Sequence, residues 1–135
     1  MIRRWQSWAP YLLSVLRIIG AFLFAQAGTA KMFAFPAAVM PGGGTAPLMS
    51  LVGVAGALET VGGLLLLVGL FTRPVAFVLS GLMAFAYFIG HAGNGLWPIL
   101  NGGTDAILFC FLWLYFSAAG AGPWSLDALL QRRRA

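Results

Sequence analysis

Three ionisable residues interrupt the apolar runs of this chain: Arg17, Lys31 and Glu59. A charge at the centre of a bilayer costs about 2.5–3.5 kcal/mol on insertion scales, so such residues face protein or water and take partners. Arg17 and Lys31 belong to a stripe at helical spacing: Ser14, Arg17, Ala21, Phe24, Gly28 and Lys31. Glu59 shares a helix face with Gly56 and Gly63, small residues that let a second helix approach closely. Counting helical rises from either side brings Arg17 and Glu59 within roughly 10 Å in depth. The first pairing expected is therefore Arg17–Glu59, and the second Lys31–Glu59. Three roles stay open for the carboxyl: half of an ion pair that fixes helix register, a proton-handling group beside a ligand pocket, or a protonated side chain with no partner.

A second polar group lies further along, with His91, Asn94, Asn101 and Asp105. Asp105 stands where the dipole of a starting helix favours a carboxylate, so helix capping is its simplest role. Together with Asp105, His91 is a candidate proton donor at the membrane surface. One Cys and one His argue against an all-protein zinc, iron–sulfur or bis-His haem site. Any redox cofactor is then borrowed from a partner or from the lipid. Cys110, inside an apolar run, reads as core packing. Gly42-Gly43-Gly44 lacks the Lys and Ser/Thr of a phosphate loop and reads as a flexible connection.

The elements that must position these residues follow from composition. The 135 residues are 61% hydrophobic and 8% charged, with a mean hydropathy of +0.91. Soluble domains are nearer 45–50% apolar and about 25% charged. Three acidic and eight basic residues cannot cover a water-soluble surface. That excludes a cytosolic enzyme, a disordered chain and a disulfide scaffold, and leaves a small integral membrane protein of one domain, residues 1–135. The cations form no continuous face: Arg3 and Arg4 lie at one end, Arg132, Arg133 and Arg134 at the other, and Arg73 stands between. They read as topology signals and anionic-lipid contacts, not as a nucleic-acid site.

A span needs roughly 20 apolar residues, and four runs are expected to cross: about 11–33, 50–71, 74–91 and 104–119. Pro10 and Pro74 stand where a missing N–H costs least, at helix starts. With four spans, Arg3, Arg4, Arg73 and Arg132–Arg134 fall on one side, so both termini are expected in the cytoplasm of a bacterial-type inner membrane. Trp5 and Trp8 fit an interfacial anchor. The stretch from Trp124 through Leu126, Leu129 and Leu130 to the three arginines reads as a short amphipathic surface helix. The fold expected is an antiparallel four-helix membrane bundle with that short helix at its end. A cleavable signal ending at Ala25-Gln26-Ala27 is disfavoured, because Arg17 interrupts its apolar core.

From Arg17 to about Asp127 the chain resembles the DoxX family of small four-helix membrane proteins. Span one resembles the family's opening with Arg17, Gly20, Gly28 and Lys31. Span two carries Glu59-Thr-Val-Gly-Gly, a leucine run and Gly-Leu-Phe-Thr-Arg73. His91, Trp97-Pro98 and Asn101-Gly102-Gly103 follow, and Gly120-Ala-Gly-Pro123-Trp-Ser-Leu-Asp127 resembles the family's close. Two positions depart: Thr104-Asp105 stands where many members have Glu after Asn-Gly-Gly, and Ala27 where many have His. The resemblance implies an association with thiosulfate:quinone oxidoreductase and other membrane redox assemblies.

The resemblance and the charged stripe together lead to the expectation of a membrane subunit of a quinone-linked redox assembly. It would hold a quinone headgroup between spans or anchor a catalytic partner; whether the chain is itself an enzyme is open. Candidate ligand-binding or proton-handling residues are Arg17, Lys31, Glu59, His91, Asn101 and Asp105. Partners expected are the lipid bilayer and other redox subunits or further copies of the chain. A non-catalytic scaffold is the alternative, and a small-solute permease, which would need an oligomer, is a third.

Overall fold

The computed structural model describes Met1–Ala135, all helical and without a strand. In chain order the helices are α1 (Ile2–Gln6), α2 (Ala9–Phe33), α3 (Leu51–Val68), α4 (Thr72–Gly90), α5 (Pro98–Asn101), α6 (Thr104–Ala119) and α7 (Leu126–Arg134), with a 3₁₀ turn at Ala92–Asn94. Four of them, α2, α3, α4 and α6, run antiparallel in sequence and form the bundle. By length and apolarity, α2, α3 and the run Thr72–Asn94 containing α4 can each cross a membrane. At 16 residues, α6 is shorter, about 24 Å at 1.5 Å per residue.

The bundle is built as two hairpins. Helices α2 and α3 pack closely along their length, as do α4 and α6, whereas α2 and α6 meet at few points. Lipid offers apolar side chains no incentive to associate, so tight helix pairs in a membrane depend on close approach and polar contacts. In the first hairpin glycine supplies the approach. Gly28 lies against the Gly56 carbonyl and Thr60, and Gly63 against Ala25. In the second, the Ser80 hydroxyl donates to the Cys110 carbonyl at 2.8 Å, and the Arg73 guanidinium donates to the Ala118 carbonyl at the end of α6. Between the hairpins sits the core of Ala21, Phe24, Leu66, Leu79, Trp113 and Phe116. Fully buried Trp113 meets Phe24 edge-on at 5.5 Å and stacks with Phe109 at 5.9 Å.

Helix limits follow from local chemistry with two corrections. The hydroxyl of Ser50 caps α3 by accepting the Gly53 N–H at 3.0 Å. Helix α3 ends at Val68, three residues before the expected Phe71, because Gly69 takes the left-handed conformation at φ +70°. Helix α4 starts at Thr72 instead of Pro74, since Asp127 of α7 accepts the N–H groups of Phe71 and Thr72, each at 2.9 Å. That cap comes from far along the chain, and Pro74 simply occupies the first turn. The first and fourth runs lie at Ala9–Phe33 and Thr104–Ala119, close to expectation. The surface helix expected near the C-terminus is α7, capped by the Ser125 hydroxyl, which accepts the Ala128 N–H.

The two ends of the bundle differ. Both termini, α1, α7 and all the arginines gather at one, the terminal end. The connections 34–50 and 91–103 form the other, the loop end.

Candidate functional site

The pairing of buried charges differs from the first expectation. Lys31 Nζ donates to both carboxylate oxygens of Glu59, at 2.7 and 2.8 Å, in the single ion pair of the molecule. Arg17 takes no part. The reason is register: Lys31 packs on Gly56 and Gly28 on Thr60, while the Arg17 guanidinium lies at Gly69. Ten residues separate Glu59 from Gly69, so the arginine head is about 15 Å away along α3.

Arg17 is fully buried and donates instead to four backbone carbonyls. Nη1 reaches Leu66 and Leu67 at 2.6 and 2.7 Å, Nε reaches Ala121 at 2.9 Å, and Nη2 reaches Trp124. Leu66 and Leu67 belong to the last turn of α3, whose carbonyls have no partner within the helix. The planar guanidinium, with five N–H groups in fixed directions, suits several acceptors at once. Arg17 is thus a joint between the first hairpin and the segment after α6.

Four of the six candidate residues meet in one place. A cleft of about 680 Å³ opens between the hairpins at the loop end, lined by Lys31, Glu59, His91 and Asp105. Its walls are apolar, with Leu23 and Phe24 on α2, Met83 and Ala86 on α4, and Leu108 and Phe109 on α6. Pro36, Ala37 and Val39 of the first long connection form part of its rim. That connection is held down where Ala46 N–H donates to the Lys31 carbonyl at 2.8 Å. Glu59 is 3% exposed, whereas the Lys31 side chain keeps 27% of its surface. The cleft therefore presents an ammonium whose charge is balanced from behind by a buried carboxylate.

His91 Nδ1 lies 3.0 Å from the Asn101 carbonyl. A carbonyl only accepts, so Nδ1 carries a proton, and the neutral ring then offers Nε2 as an acceptor. Nε2 is then the ring atom through which His91 would exchange a proton with a ligand, as the donor role expected of it requires. Asp105 lies in the first turn of α6, exposed, and forms no capping hydrogen bond. No side chain caps α6, so Asp105 serves the helix start only as a first-turn carboxylate on the helix dipole, while Asn101 Oδ1 accepts the Gly103 N–H just before the helix at 2.8 Å. Asn101 is buried in the connection and, like Arg17, lies outside the cleft lining.

The cleft also contains Gln26, exposed on α2 about a turn and a half from Lys31. Sequence reasoning passed over it because an uncharged amide does not stand out against charged neighbours. Its signal was there, an amide inside an apolar helix where each polar group needs a partner.

Comparison with known proteins fits this architecture. The family model described as DoxX matches residues 12–92. A protein of Haemophilus influenzae, described as uncharacterized, is 47% identical over 125 residues, covering 90% of this chain and 92% of that one. No solved structure matches the chain.

Proposed function

Because the chain belongs to the DoxX family of membrane proteins, we propose that all four bundle helices cross the bilayer, with both termini cytoplasmic, and that the loop-end cleft binds a quinone headgroup. In this reading the protein is a membrane subunit of a quinone-linked redox assembly. The observation that carries it is the joint lining of one apolar cleft by Lys31, Glu59, His91 and Asp105. Ligand cavities are commonly about 300–1,000 Å³ and mostly apolar with few convergent polar groups, and this one fits that description.

A quinone supplies two-electron chemistry coupled to protons, and the chain's residues hold and orient it. Lys31 donates a hydrogen bond to one ring oxygen, and Glu59 fixes the ammonium in place. His91 would exchange a proton with the ligand's ring oxygen through Nε2, and Asp105 lines the same cleft in an exposed position. The arginines of the terminal end support the cytoplasmic placement of the termini.

The test is to purify the protein in mild detergent from quinone-replete membranes and quantify bound quinone by mass spectrometry. The wild type is expected to carry quinone near one per chain, and Lys31→Met/Glu59→Met to carry none while staying folded. A wild type that retains no quinone and binds no added short-chain ubiquinone overturns the reading.

A scaffold reading has its own support, since the Lys31–Glu59 pair satisfies itself and pins α2 to α3. Removing one member of a buried pair typically costs about 3–5 kcal/mol, and an apolar replacement of both restores it. If the double variant regains stability and the wild type binds no quinone, the pair serves assembly alone.

A further inference from the structure

The connection between α4 and α6 is unusually apolar for a loop. From Ala92 to Thr104 it contains no charged residue. Leu96, Trp97, Ile99 and Leu100 are all outward, at 66–84% exposure. Four large apolar side chains in succession on a water-facing connection would form an aggregation-prone patch.

The height of α6 explains them. Gly103 packs on Tyr87, and Ser80 binds Cys110, so α6 begins level with Tyr87, three residues below the end of α4 at Gly90. That shortfall is about 4.5 Å at 1.5 Å per residue. The turn of α5 packs on the 3₁₀ turn Ala92–Asn94 and on α6.

Backbone inside hydrocarbon needs its polar groups satisfied internally. The N–H groups of Gly95, Leu96, Trp97 and Ile99 have no protein partner, which sets this backbone at headgroup depth, while the groups around Asn101 are paired. Asn101 Nδ2 donates to the Gly95 carbonyl at 2.9 Å and to the Tyr87 hydroxyl at 3.3 Å, and its Oδ1 accepts from Gly103. His91 Nδ1 donates to the Asn101 carbonyl. The Trp97 carbonyl accepts from the Leu100 and Asn101 N–H groups, and the Pro98 carbonyl accepts from Gly103.

We infer that Leu96–Asn101 is an interfacial turn at the loop end, its backbone among the headgroups, its outward side chains dipping into the acyl chains, and its Asn101 end braced from inside by Asn101 and His91. The inference rests on the four-span placement of α6 and is independent of quinone binding. It gives Asn101 a role that the cleft does not: the brace that holds this non-helical turn against the bundle. His91 serves both, through Nδ1 for the brace and through its position in the cleft.

The experiment uses the full chain with Cys110→Ala, reconstituted into phosphatidylcholine–phosphatidylglycerol vesicles, with a nitroxide attached at Ile99→Cys. Accessibility to dissolved oxygen, which concentrates in lipid, is compared with accessibility to a water-soluble nickel chelate. Phe111→Cys, exposed on the middle of α6, reports the span, and Thr45→Cys reports water. The turn predicts oxygen dominance at Ile99, as at Phe111, and the reverse at Thr45. Nickel dominance at Ile99 with oxygen dominance at Phe111 overturns the inference and leaves the span intact. Nickel dominance at both sites refutes the four-span placement itself. Low access to both reagents at Ile99 also overturns it, since the turn is then covered by a second copy. In Asn101→Ala the nickel accessibility at Ile99 is expected to rise.

Discussion

Replacing Arg17 with alanine removes the side chain that joins α3 to the segment following α6. Of the four carbonyls it serves, Leu66 keeps a second donor in the Gly69 N–H, while Leu67, Ala121 and Trp124 have no other. An unsatisfied buried acceptor costs about 1–3 kcal/mol. Three such groups come to roughly 3–9 kcal/mol, and water entering from the nearby membrane surface favours the lower part, about 3–5 kcal/mol. Arg17→Lys recovers only a fraction, because a single ammonium cannot reach acceptors spread over two segments as a planar fork does. Adding Glu59→Met to Arg17→Met gives no rescue. The two sites lie about 15 Å apart along α3, so their effects add within about 0.5 kcal/mol. The assay is reversible unfolding of purified protein in mixed micelles by SDS titration, followed by tryptophan fluorescence. A loss below about 1 kcal/mol in Arg17→Ala, the size of one ordinary hydrogen bond, would refute the joint. So would recovery on substituting Glu59, which would restore the Arg17–Glu59 pairing.

Further outcomes follow from the same contacts. A Cβ on Gly28 would stand 2.5 Å from Thr60 N and 2.8 Å from the Gly56 carbonyl, so Gly28→Ala must part α2 from α3. A drop of at least about 2 kcal/mol is expected by analogy with overpacking. Gly81→Ala, with open space around its position, is expected to be neutral or to gain up to about 1 kcal/mol from helix propensity. Equal effects of the two alanines in the same titration would count against glycine-mediated approach. Asp127→Ala removes both acceptors that cap α4 and is expected to cost about 1–2 kcal/mol. It should also speed tryptic cleavage at Arg132 by loosening α7, and unchanged cleavage would show that α7 is held by other contacts.

Much of this architecture was legible along the chain. The stripe from Ser14 to Lys31 faces the interior as its spacing required, and Gly56, Glu59 and Gly63 meet α2. Glycine patterns carry that information because close approach leaves no alternative residue. The identity of the ion pair was not legible. Depth counting took the loop ends of the first two runs as level, whereas α3 extends past α2 and sets Lys31 against Gly56. Arg17 misled for a related reason. A buried arginine signals a need for acceptors, and its four are main-chain oxygens that no sequence pattern advertises. The cap on α4 is likewise supplied across more than 50 residues of chain. Asp105 stands in the first turn of α6 as the helix-start pattern required, yet it makes no capping hydrogen bond.

The hydrogen bonds between the hairpins are concentrated at one end of the molecule. At the terminal end Arg17 reaches Ala121 and Trp124, the Trp124 N–H donates to Ser14, and the Asp127 N–H donates to the Gly69 carbonyl at the end of α3. At the loop end α2 and α6 are separated by the cleft. The bundle is thus clasped at one end and open at the other, like a pair of tweezers. With each hairpin stiff, the softest motion is rotation about the clasp. At a lever arm of about 15 Å, from the helical rise between Gly69 and Glu59, a rotation of about 5° moves the jaws by about 1.3 Å. Such a rotation would widen the mouth without breaking a hydrogen bond within either hairpin. In a bilayer, lateral pressure on the open jaws would oppose that rotation.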